Sequence, residues 1–149
     1  MEEMLNVLGG LHMEELGKLF GALTIFFFGL TILNYIVKFV NRKFAKEIAK
    51  NPEFKKIWMM FMRILVKYHK YFGFATLASL LIHFLIQSNF RWVSASGLIA
   101  AAVLLSQLLL GMYGAYINKK RKGLWFVTHR MISVALIVTI LLHVALSGD

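Results

Sequence analysis

The chain has 149 residues, 59% of them hydrophobic, 13 of them Phe and none of them Cys. A mean hydropathy of +0.69 excludes an ordinary soluble globular domain, and the missing thiols exclude disulfides and iron–sulfur clusters. The formal charge of +10 does not mark a nucleic-acid binder, because 15 of the 17 Lys and Arg fall in 38–70 or 119–130, flanking apolar segments as positive-inside loops do.

In chain order, residues 1–16 carry acidic flanks and no positive n-region, so they do not read as a cleaved signal peptide; a short outer-surface helix is expected there. Four apolar segments follow at about 19–40, 69–88, 95–117 and 124–147, each near the roughly 20 residues that cross a hydrocarbon core. The basic stretch 38–56 follows the first, and Asn118–Gly123 joins the third to the fourth. Both loops are expected on the cytoplasmic side of a cell (inner) membrane, with the Gln87–Ser94 turn and both termini outside. Asn51-Pro52-Glu53 reads as a helix start, with Asn as N-cap and Pro at the first position. The second span is therefore expected to begin well before the membrane: Lys56, Arg63, Lys67 and Lys70 form one basic stripe, which predicts a helix over 53–68 that lies at, or rises from, the inner interface with its charges reaching to headgroups. The whole of 1–149 is expected to be one integral membrane domain.

Two copies of one pattern lie within these segments. His69-Lys70 is followed by His83, and His129-Arg130 by His143, each at an interval of 14 residues. Fourteen residues are 3.9 helical turns, so both histidines of a copy share one face, about 21 Å apart. The second and fourth segments run in the same direction, which pairs His69 with His129 near the inside and His83 with His143 near the outside. A lone His in an apolar helix is often a hydrogen-bonded packing residue, but four at identical spacing in lipid point to function. Two helices that each offer two imidazoles are the ligand set for two stacked haems. Without a CxxCH motif these are non-covalent haem b.

Lys70 and Arg130 follow the inner-level histidines and are candidates to neutralise haem propionates; ordinary snorkelling at a span end is the alternative. Arg91 and Trp92 are candidates for the outer level, with an interfacial belt as the alternative for Trp92. Gly97 and Gly111 are also 14 apart, on the antiparallel third segment, at the outer and inner levels respectively. They either admit a porphyrin edge or serve plain helix packing; Gly73 and Gly114 add to the inner level. All seven acidic residues lie outside the four spans, which argues against a proton or cation pathway. No GxGxxG follows a strand.

The H-[KR]-x13-H arrangement on the second and fourth of four helices resembles the di-haem core of b-type cytochromes. These are cytochrome b of quinol-oxidising complexes and the ferric-reductase-like and related small bacterial membrane cytochromes. The resemblance covers about 20–147 and implies His69, His83, His129 and His143 as axial ligands, with Gly97 and Gly111 matching the paired glycines that flank the haems. The chain departs from it in span one, where Tyr35 stands 14 after Gly21, and in lacking the PEWY motif and a flavin domain.

The expectation is therefore an all-α four-helix transmembrane bundle with two stacked b haems, carrying electrons across the membrane. Its expected partners are membrane lipid, other subunits of a redox complex or a second copy in a homodimer, with a quinone as a candidate and nucleic acid excluded. The alternatives are a stand-alone quinone or metal-ion reductase acting at a haem edge, and a His-based metal transporter.

Overall fold

The structure, a computed structural model, describes residues 2–90, 93–118 and 123–147, with side chains described over 12–89, 93–118 and 123–147. Arg91, Trp92 and Lys119–Lys122, which the sequence places in loops, lie outside the described residues. The elements are α1 (Glu2–Lys43), α2 (Ala45–Lys50), α3 (Pro52–Phe90), α4 (Ala95–Met112), a π-helical turn over Tyr113–Asn118, and α5 (Leu124–Ser147). There is no strand among the described residues. His12–Lys43, Pro52–Asn89, Ala95–Asn118 and Leu124–Ser147 are each long and apolar enough to cross a membrane. Four such helices point to a multi-pass membrane protein.

Two of these helices exceed what a membrane requires. At 42 and 39 residues, α1 and α3 are about 63 and 58 Å long, against a hydrocarbon core of about 30 Å. The separate surface helix expected over the first 16 residues is instead the start of α1. No Pro interrupts it, and Lys18 bridges to Glu14 and Glu15 at 3.2 and 3.0 Å, which supports the helix through its charged turn. The second span begins well before its apolar part, as the helix start at Asn51-Pro52-Glu53 predicts: 53–68 and 69–88 form one unbroken α3. It starts as the sequence predicts, with Asn51 Oδ1 accepting the Phe54 N–H at 3.0 Å. The stripe of Lys56, Arg63, Lys67 and Lys70 is exposed along it.

The chain divides into two compact units, Gly21–Ser79 and the combination of Met1–Phe20 with Leu80–Asp149. In the first, Val37 and Leu65 are buried beside four buried polar residues, Thr24, Asn34, Thr76 and Ser79. Thr76 and Ser79 return their hydroxyls to the Phe72 and Ala75 carbonyls, both at 2.8 Å, which removes the cost of burying them. Trp58 Nε1 donates to Asn41 Oδ1 at 3.1 Å and ties the start of α3 to the end of α1.

In the second unit α4 packs along α5. The connection between them ends at Gly123, whose φ of +114° is a conformation that only glycine adopts without strain. Leu104 and Leu136 are buried, whereas Met131, Val134, Val138, Leu141 and Leu142 of α5 are exposed. An apolar outer face with amides, hydroxyls and imidazoles turned inward is the distribution expected of a chain solvated by lipid.

Candidate functional site

The antiparallel register of α4 on α5 carries the repeat from one helix to the other. Gly97 lies against His143, and a Cβ there would stand 3.0 Å from Cε1 and 3.4 Å from Nδ1. One step of 14 residues along α4 and back along α5, Gly111 lies against His129, with 3.3 and 3.8 Å to the same two atoms. The missing side chains therefore admit the imidazole rings themselves. Gly114 accommodates something else: the Trp125 indole fills the space where its Cβ would be, in the π-helical turn that ends this span.

His83 and His143 come together, with ring centroids 6.5 Å apart and planes at 69°. Each ring is held by one nitrogen. His83 Nδ1 lies 2.8 Å from the Gly17 carbonyl oxygen, an acceptor only, so Nδ1 carries the proton and Nε2 the lone pair. Gly17 is buried, and a Cβ there would stand 3.3 Å from Ile86 Cγ2, so glycine lets the carbonyl of α1 approach the end of α3. His143 Nδ1 lies 3.2 Å from Ser96 Oγ and 3.4 Å from Ser94 Oγ. Ser96 donates onward to Ser94 at 3.4 Å, and Ser94 also caps α4 by accepting the Gly97 N–H at 3.1 Å. The ring is thus fixed from the helix start that also contributes Gly97.

Holding Nδ1 and presenting Nε2 is how metal-ligating histidines are oriented. With metal–imidazole bonds of about 2.0–2.1 Å, two rings on opposite sides of one ion have centroids roughly 6 Å apart. The donor chemistry and spacing of His83 and His143 fit a metal-centred group that both imidazoles would hold.

His129 is set up differently. Its Nε2 lies 3.2 Å from the Gln107 amide nitrogen, while its Nδ1 is buried and makes no hydrogen bond among the described residues. The same amide donates to Ser133 Oγ at 2.5 Å, and Ser133 donates to the His129 carbonyl at 2.8 Å. Gln107 is buried, and its Oε1 likewise has no partner among the described residues. The sequence reading missed Gln107, although it is the one amide side chain in 95–117, and Ser133 stands one turn after His129.

His69 belongs to the other unit, half-buried on α3. Beside it Tyr68 packs on Tyr71 and Phe72, with centroids 5.9 and 6.5 Å away. Lys70 Nζ lies 5.0 Å from the Tyr71 ring, and the Arg130 guanidinium 4.2 Å from the Phe126 ring. Both cations thus rest on an aromatic neighbour of their own helix. No three His, Cys, Asp or Glu side chains gather as a metal-binding group among the described residues; the histidines meet as a pair. No family model, curated protein or solved structure matches the chain.

Proposed function

We propose that this chain is a membrane cytochrome b that holds two b haems between paired histidines and carries electrons from one membrane face to the other. It would do so as the membrane subunit of a larger redox complex or as a homodimer, exchanging electrons with a quinone or a redox protein. The observation that carries this reading is the His83–His143 pair: two half-buried imidazoles, each held at Nδ1, at the spacing two axial ligands need. A closed zinc site takes about four protein ligands and a catalytic one about three. Two imidazoles complete the coordination only of a metal whose other donors arrive with it, which favours haem over a bare ion.

When bound, haem supplies a one-electron couple. The chain's own residues fix where that couple sits. His83 and His143 are the ligands at one level, and the sequence repeat assigns His69 and His129 to the other, about 21 Å away by helix rise. Gly97 and Gly111 give the α5 rings their clearance. Lys70 and Arg130 are the candidates to balance propionate charge at the inner level. The basic segments assign 41–56 to the cytoplasmic side and both termini to the outside.

The test is a dithionite-reduced minus oxidised spectrum of the purified protein with a pyridine haemochrome count. Two b haems per chain are expected, and a colourless protein reconstituted with excess haemin overturns the reading. Orientation is tested separately. Lys46 and Lys50, both exposed, should resist a membrane-impermeant amine reagent in intact cells and react in inside-out vesicles.

A further inference from the structure

The buried amide of Gln107 occupies the nitrogen of His129 that a metal would take, and among the described residues nothing comparable stands at His83 or His143. We infer that Gln107 is a reversible plug on His129, held in place by Ser133, which makes the His129 level the weaker of the two to load with a metalloporphyrin. This rests on the haem reading above and adds an order of occupancy to it.

The geometry of the plug is closed on itself. One amide hydrogen of Gln107 reaches Ser133 Oγ and the other His129 Nε2. Ser133 spends its own hydrogen on the His129 carbonyl, so its oxygen is free to anchor the amide. The arrangement consumes the Nε2 lone pair, and one lone pair cannot serve both an N–H donor and a metal ion. Loading at Nε2 therefore begins by breaking the Gln107–His129 bond.

The plug is also easy to displace. It leaves the buried Gln107 Oε1 without a hydrogen bond among the described residues, and an atom in that condition raises the free energy of the plugged state. At His143 the polar partners sit on Nδ1 instead, so ligation there sacrifices no hydrogen bond.

The experiment titrates the haem-depleted full chain in detergent with haemin, following the Soret band, and repeats the titration with zinc protoporphyrin by fluorescence. His129→Ala and His143→Ala variants assign the phases. Wild type should load in two phases, the weaker of which disappears in His129→Ala. In Gln107→Ala that phase should tighten by roughly two- to tenfold, the worth of one neutral hydrogen bond, while the stronger phase stays fixed. Ser133→Ala, which keeps Gln107 but removes its anchor, should move the same phase in the same direction and stands in if Gln107→Ala fails to fold. Two indistinguishable phases in wild type, or a His129 phase unchanged or weakened in the variants, overturns the plug while leaving the haem reading intact. A wild-type chain that takes up no porphyrin overturns both.

Discussion

His143 and His129 sit on one helix, 14 residues apart, each against a glycine of α4, yet their rings are wired in opposite senses. His143 has its Nδ1 held by Ser96 and Ser94, and its neighbour His83 has its Nδ1 held by the Gly17 carbonyl. His129 has its Nε2 held by Gln107, with Nδ1 buried and outside any described hydrogen bond. The repeat therefore fixes where the imidazoles are, and residues outside the repeat decide which nitrogen each one offers. Under the proposed haem reading, one level would be prepared for its ligand and the other would give up a bond to accept one.

The largest expected effect tests whether the prepared pair acts as a unit. His83→Ala and His143→Ala should each lower the haem count from two per chain to one and remove the same component from the electron paramagnetic resonance spectrum. His69→Ala and His129→Ala should each remove the other component. A spectrum in which His83→Ala and His129→Ala erase the same signal would show that the pairing drawn from His83 and His143 is wrong.

The next effect compares two serines. Ser96→Ala removes the nearer of the two serine partners of His143 Nδ1, and losing an outer partner typically costs about 10- to 100-fold in metal affinity. Ser133→Ala is the same chemical deletion beside His129, but it loosens Gln107 and should strengthen loading there. Parallel haemin titrations of the two variants should move in opposite directions. Movement in the same direction would mean that the two levels are wired alike and that the contrast between Nδ1 and Nε2 carries no function.

Much of this arrangement is legible in the sequence. Apolar length alone marks the four helices able to span a membrane, and Asn51-Pro52 marks the start of α3. Two intervals of 14, in histidine and in glycine, suffice to place Gly97 at the level of His143 and Gly111 at that of His129. What is hidden follows from physics that is not local. The Gly17 carbonyl is invisible because every residue has one, and only the packing of α1 against α3 selects it. Gln107 was visible as a lone amide in an apolar span, but its partner depends on the α4–α5 register. Gly114 reads as clearance for a cofactor until Trp125 is seen to fill it.

The smallest effect separates the two glycine notches. At Gly97 an added Cβ would stand 2.9 Å from Ser94 Oγ and 3.0 Å from His143 Cε1. Neither neighbour can retreat freely, since Ser94 caps α4 and His143 is tethered to Ser96. At Gly111 the nearest neighbour is His129 Cε1 at 3.3 Å, and a shift of a few tenths of an ångström relieves the contact. Overpacking a fixed site costs about 1–3 kcal/mol, so Gly97→Ala should fall in that range and Gly111→Ala should cost about 1 kcal/mol or less. Thermal unfolding of the haem-depleted chain measures both, and the bound haem count shows which level each disturbs. Gly97→Ala should disturb only the His143 level. Equal costs would mean that the two close contacts at Gly97 relax as readily as the single longer one at Gly111, and the two notches would not differ.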